Sequence, residues 1–210
     1  MKGVVTERSK AIRRGMSGML LGALLAGCSL PVDKSEPPQA FLLEVGAFES
    51  PPARRPTGKT LLVTVPRAAP GFDSNQIAYT RQPLKLDYYN NSVWSDTPAK
   101  MLLPVLVRAF EGTGAFKAVV SPPASAVADL RVDVDLIRLQ QELMAQPSQV
   151  RLTVRLKVID THNGQVLGAH VFEALEPTPS EDAYGAARAA NAAVQKLLGE
   201  IIPFALGYLT

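Results

Sequence analysis

The chain has one cysteine, few aromatics at 6%, and a net charge of only +3 over 210 residues. A single cysteine excludes an internal disulfide framework. The charge is also misplaced for a nucleic-acid binder. Residues 1–27 hold Lys2, Arg8, Lys10, Arg13 and Arg14 against Glu7, a net of +4, which leaves −1 for the remainder. The basic pI of 9.1 therefore belongs to the leader and not to the body of the chain. Missing too are a nucleophile elbow, a phosphate loop, an HExxH helix and a CxxC pair. Without a nucleophile beside a base, or a paired acid and base, nothing points to an enzyme. What the chain has in quantity is apolar residues, 47% against 20% charged, together with 17 prolines. That balance is globular.

The first residues read as an address. A basic stretch ends at Arg13-Arg14, and Met16 to Ala26 forms an 11-residue apolar run. Such a run is too short to span a bilayer and fits a secretory signal peptide. Leu25-Ala26-Gly27-Cys28 follows, and resembles a bacterial lipobox, in which cleavage falls before a diacylglycerylated cysteine. The competing reading is an ordinary signal peptide, or an uncleaved anchor, with an incidental cysteine. Acylation of Cys28 would account for the lone thiol, and several acyl chains would hold the protein firmly. No other cofactor is expected. Ser29, where Asp would favour inner-membrane retention, directs the expectation to the periplasmic face of the outer membrane. The organisation expected is a signal peptide over 1–27, a lipidated N-terminus and tether over 28–39, and one domain over 40–207.

The body reads as a single mixed α/β domain, with about six to seven short strands and two main helices. Residues 29–38 are polar and proline-bearing, and would reach about 30 Å as a tether. Strands are expected at Phe41–Val45, Leu61–Val65, Ile77–Thr80, Leu84–Tyr89 and Ala115–Val120, with a proline-rich loop over 49–59. The first helix starts at Thr97 and Pro98 and ends by Gly112 and Gly114. Asp129 to Leu139 alternates, with Leu130, Val132, Val134 and Leu136 inward and Arg131, Asp133 and Asp135 outward. Val150 to Val158 alternates in the same way. Asn163-Gly164 signals a hairpin back through 165–175. A two-residue loop would set Lys157 opposite His170 and Leu156 opposite Val171. It would also leave Glu173 facing Val154 on the apolar side, a conflict that a bulge would relieve. A last helix is expected after a capping box of Thr178, Pro179 and Glu181, with Pro203 ending or bending it.

Three groups of side chains are candidates for function. His162 and His170 flank the hairpin, and surface placement is the plainer reading for both. Asp129, Asp133 and Asp135 could suggest a cation site, but a cross-strand ladder with Arg151, Arg155 or Lys157 fits a wet strand face better. Tyr88, Tyr89 and Trp94 are the densest aromatic cluster. They serve either as core or a cap over the first helix, or as a partner-docking or lipid-facing patch.

An ordered set of segments carries a family resemblance. It begins with Phe41-Leu42-Leu43 and the strand ending at Pro66. It continues through Ile77-Ala78-Tyr79, Tyr88-Tyr89 and Trp94 leading into Thr97-Pro98, then Leu102-Leu103, Leu106, Gly114-Ala115-Phe116, Val119-Val120 and Ala128-Asp129-Leu130. The most specific part is Leu139-Gln140-Gln141-Glu142 followed by Pro147 to Leu152. Asp182 to Gly185 and Ala189-Ala190-Asn191 extend it into the last helix. The set resembles the ABC-type transport auxiliary lipoproteins, which accompany transporters with MCE-domain proteins. The resemblance implies a periplasmic α/β domain partnering an ABC ATPase, a permease and an MCE protein, with no catalytic residues. The oligomeric state stays open, homo-oligomers included. The alternative is a structural or regulatory envelope lipoprotein, such as a peptidoglycan synthase activator or a lipopolysaccharide-assembly subunit. An envelope hydrolase would need an acid–base pair that the sequence does not offer.

Overall fold

Alternating apolar residues build the spine of a sheet. The computed structural model describes residues 37–46, 56–124 and 126–208. The leader, the lipobox with Cys28, most of the tether and part of the proline-rich loop lie outside the described residues. Among those described, nine strands and two helices follow in order: β1 Gln39–Phe41, β2 Thr60–Val63, β3 Arg67–Ala68, β4 Gln76–Gln82, β5 Lys85–Trp94, α1 Pro98–Glu111, β6 Ala118–Val120, β7 Leu130–Glu142, β8 Gln149–Asp160, β9 Val166–Pro177 and α2 Ala183–Leu206. The expected mixed α/β class holds. The strand without an expected counterpart is β3, only two residues long, too short to leave a period in the sequence.

Strand β7 organises the rest. One edge pairs antiparallel with β8 along its whole length, and β8 pairs with β9. The other edge is shared in turn by three short parallel strands: β2 at Leu130–Val132, β3 at Asp135–Leu136 and β4 at Gln141–Glu142. Strand β6 flanks β2, while β5 flanks β4 and carries β1 at its own edge. Both helices pack against the sheet and touch each other. Leu130, Val132, Val134 and Leu136 are buried, as are Leu152, Val154, Leu156 and Val158 of β8. A bulge between Leu136 and Arg138 then shifts the phase, so that Leu139 and Gln141 take the inward positions.

The β8–β9 hairpin corrects the expected register. Leu156 faces His170 and Lys157 faces Ala169. The turn is wider than two residues: Asp160 donates to the Gln165 carbonyl, and Gly164, at φ +73°, donates to that of Asp160. A bulge between Val158 and Ile159 moves the partner sum by one. Glu173 consequently faces Thr153 on the open side, and Phe172 faces Val154 in the core. The apolar-side conflict disappears because a one-residue slip exchanges the two faces.

The first strand is also shifted. Pairing with β5 covers Gln39–Phe41, and Leu43 and Val45 are buried without joining the sheet. Asn191 of α2 takes over their backbone. Its amide donates to the Leu42 carbonyl at 3.0 Å and its Oδ1 accepts from Glu44 N–H at 2.7 Å.

Helix α1 begins where expected, but Thr97 makes no side-chain cap; Asp96 accepts the Thr97 N–H instead. Pro104 lies inside the helix on its exposed side, where water can serve the carbonyl that lost its donor. Helix α2 is capped by Asp182, whose carboxylate accepts from Gly185 N–H at 2.7 Å. Thr178 does not cap it, because the helix starts only at Ala183, and the Thr178 hydroxyl instead ties the preceding segment to the Ser148 carbonyl at 3.0 Å. Pro203 does not end the helix, which runs on to Leu206 and keeps Phe204 packed on Phe172. Gly185, Ala186, Ala189, Ala190 and Ala193 are buried small residues that let α2 lie close to the sheet.

Candidate functional site

The aromatic cluster of β5 divides between the two faces and the core. Trp94 is 2% exposed and packs in the main core, which removes it from any docking surface. Alternation then separates its neighbours. Tyr88 is half-buried, with its hydroxyl donating to the Gly71 carbonyl at 3.0 Å. Tyr89 packs against Tyr79, with ring centroids 4.7 Å apart, and donates to Gln141 Oε1 at 2.6 Å.

That last bond leads to a buried polar junction at Gln141, which the sequence marked only as part of the segment most specific to the family resemblance. Gln141 is 1% exposed. Its amide nitrogen donates to Thr178 Oγ1 and to the Ser180 carbonyl, both at 3.2 Å. One side chain thus ties β5, β7 and the segment leading into α2. Burial, reinforced by the Asp182 charge, pushes the Tyr89 hydroxyl up to about 12. The shift follows from desolvation in a packed junction, and a tyrosine held neutral suits a structural donor.

The open face of β7, β8 and β9 carries the charge ladder. Lys157 Nζ and Arg67 each approach Asp135 at 3.3 Å. Asp133 accepts from Thr64 Oγ1 at 2.9 Å and from Arg131 Nη2 at 3.2 Å. Arg151 does not join these aspartates. It contacts Glu142 and Glu173, each at 2.6 Å, and Thr153 also donates to Glu173. Burial works to raise the Glu142 carboxyl, but Arg151 and Gln149 outweigh it and hold it below its ordinary value. Asp129 accepts the Thr60 N–H at 2.7 Å, with His162 3.4 Å away, and both lower its pKa, the backbone bond more. Each carboxylate once considered for a cation therefore has a protein partner. Among the described residues, no group of three His, Cys, Asp or Glu is placed to hold a metal ion. His170 sits edge-on to Phe172 and near Phe204, away from His162 at the turn.

The expected family match is decided by the domain as a whole. The model of the ABC-type transport auxiliary lipoprotein component family matches residues 41–202. The chain belongs to this family. That span runs from the last residue of β1 into the final turns of α2, so the sheet and both helices fall within it. Among solved structures, a DUF330 protein from Xanthomonas campestris is similar at 24% identity, with a TM-score of 0.70, covering 82% of this chain and 96% of that one. An uncharacterized protein is similar at 12% identity and a TM-score of 0.63, covering 80% of this chain and 99% of the other. At such identities these likenesses support the fold alone. No curated protein matches the chain. No helix among the described residues is long and apolar enough to cross a membrane. Membership of a lipoprotein family assigns membrane association and a transport-auxiliary character.

Proposed function

We propose that this lipoprotein is an inert adaptor, held by acyl chains on Cys28 at the periplasmic face of the outer membrane. There it docks the conduit of an MCE-type ABC transporter, so that lipids or other hydrophobic solutes pass between membranes without crossing water. One combined observation carries the reading: a transport-auxiliary domain over 41–202 preceded by Leu25-Ala26-Gly27 and the sole cysteine, Cys28. Its polar clusters support a non-catalytic role, since their side chains are committed to one another in ion pairs and bonds that hold strands together. With Trp94 in the core, the proposed contact with the conduit passes to Tyr88 and the exposed Asn90 and Asn91 of β5.

Two experiments test the proposal. Co-purification in mild detergent should recover an MCE-domain protein with the lipoprotein, and failure with a bait shown to bind its permease would refute the docking role. Cys28→Ala should yield an uncleaved precursor that takes no radioactive palmitate. Normal labelling of that variant would refute the anchor.

A further inference from the structure

Two apolar turns share one end of the sheet. Strand β4 runs parallel to β7, pairing Thr80 with Glu142, and Leu143 N–H donates to the Thr80 carbonyl at 2.9 Å. The turn between β4 and β5 therefore lies beside the turn between β7 and β8. At the first tip Leu84 is fully exposed, at 108% of its reference area. At the second, Met144 is 47% exposed. Leu84 also has a φ of +65°, between Pro83 and a closing pair of Gln82 and Lys85. Turns with a positive φ at this position favour Gly or Asn, and a branched side chain there is a genuine outlier. Leu84 touches nothing that would repay the strain inside the fold.

The first described residues, Pro37 to Gln39, run toward the same end. Gln39 pairs with Ser92 in parallel, so the chain before Gln39 heads along β5 toward Lys85. Pro37 and Pro38 favour an extended exit. Eight strand positions separate the Ser92 level from Leu84, about 26 Å. The eleven residues back to Cys28 span at most about 40 Å. The covalent length of this segment thus exceeds the distance to the tips. Charge does not explain the tips: Arg81 and Lys85 flank Leu84, but Glu181 and Asp182 stand with Arg81 around Tyr89. The feature is apolar, with polar residues behind it.

We infer that the paired tips, Leu84 and Met144, insert into the interface of the bilayer that holds the acyl chains, giving the domain a second contact that fixes its orientation. Apolar side chains on a rigid scaffold enter the headgroup–acyl boundary because they leave water. Arg81 and Lys85 are long enough to keep their charges among the headgroups. The inference rests on the anchored reading above.

In the mature lipoprotein the sulfur of Cys28 is acylated, so Leu84→Cys introduces the only free thiol. The full-length mature protein carrying this change would be labelled with an NBD probe and incorporated into vesicles of phosphatidylethanolamine and phosphatidylglycerol. Met144→Cys is the second site, and Asn163→Cys, at the far hairpin turn, is the reference. The probe at 84 should blue-shift and brighten several-fold on incorporation, and nitroxide lipids should quench it. Residue 144 should follow more weakly, and residue 163 should not change. If the protein floats with the vesicles while the probes at 84 and 144 keep their water-exposed spectra, the inference is overturned and the anchor stands. A change at 84 seen only after adding an MCE-domain protein also overturns it, making the tip a protein contact. If the protein neither floats nor takes palmitate, the anchor reading itself fails and the insertion with it.

Discussion

Replacing Gln141 with leucine tests whether the buried junction is the tie that the geometry describes. Leucine has a similar volume, so the change removes polarity more than packing. Three hydrogen bonds go: one accepted from Tyr89 and two donated, to Thr178 and Ser180. The losses are unequal. Thr178 keeps its bond to Ser148, but the Tyr89 hydroxyl and the Ser180 carbonyl are left without that partner. An orphaned buried group costs about 1–3 kcal/mol. Leucine's own burial offsets part of this, leaving an expected loss of about 2–4 kcal/mol. In a domain of this size that lowers Tm by roughly 5–15 °C. Chemical denaturation followed by circular dichroism would measure it. Tyr89→Phe alone should cost about 1 kcal/mol. The double variant should fall short of the sum by about 1 kcal/mol, the coupling of one shared bond. A Gln141→Leu protein within about 0.5 kcal/mol of the parent, or a cycle with no coupling, would refute the reasoning.

Other outcomes follow from single contacts. Trp94→Ala should destabilise by about 3–5 kcal/mol, since the indole is fully enclosed; an unchanged melting curve would place Trp94 at a surface after all. Asp182→Ala should cost about 1 kcal/mol through the lost cap. The Gly185 N–H holds the Asp182 carboxyl below its ordinary value. This stabilisation is therefore present above the unfolded pKa and disappears as pH falls through the folded one, and the variant should lose that part of its acid sensitivity. The raised Tyr89 hydroxyl works in the opposite sense: its stabilisation is complete below the unfolded value near 10 and is lost as pH rises toward about 12. Tyr89→Phe should flatten the alkaline limb of a stability–pH curve. Gly185→Ala would set a methyl 2.1 Å from the Ser180 carbonyl oxygen, whereas Gly168→Ala would meet only the Tyr208 ring. The first should cost about 1–3 kcal/mol and the second clearly less, because a terminal side chain can move aside. Equal losses in the two melting curves would contradict that account.

The amino-acid sequence by itself determined whatever depends on short-range pattern. Alternation in β7 and β8 set their inward residues, because a strand has a period of two whatever it pairs with. Pro98 and the glycines after Glu111 bounded α1, since proline and glycine act through their own backbone. The apolar run ending at the sole cysteine needed no fold to be read. Tertiary structure decided what depends on partners distant in the chain. Where α2 began turned on the segment before it, which Thr178 ties to Ser148, thirty positions away, so that the helix starts at Ala183 and Asp182 takes the cap. The hairpin register turned on a bulge at Val158 that keeps Glu173 out of the core. Trp94 and Tyr88 looked alike as aromatics of one segment until the sheet gave one to the core and the other to a loop carbonyl. Gln141 stood out only as part of a family segment, with no sign of its burial, until three separate segments converged on it. Leu84 and Met144 lie sixty positions apart, and only the parallel pairing of β4 with β7 places them at one end of the molecule. Local conformation follows from neighbouring side chains; burial, register and shared surfaces follow from which distant segments exclude water together.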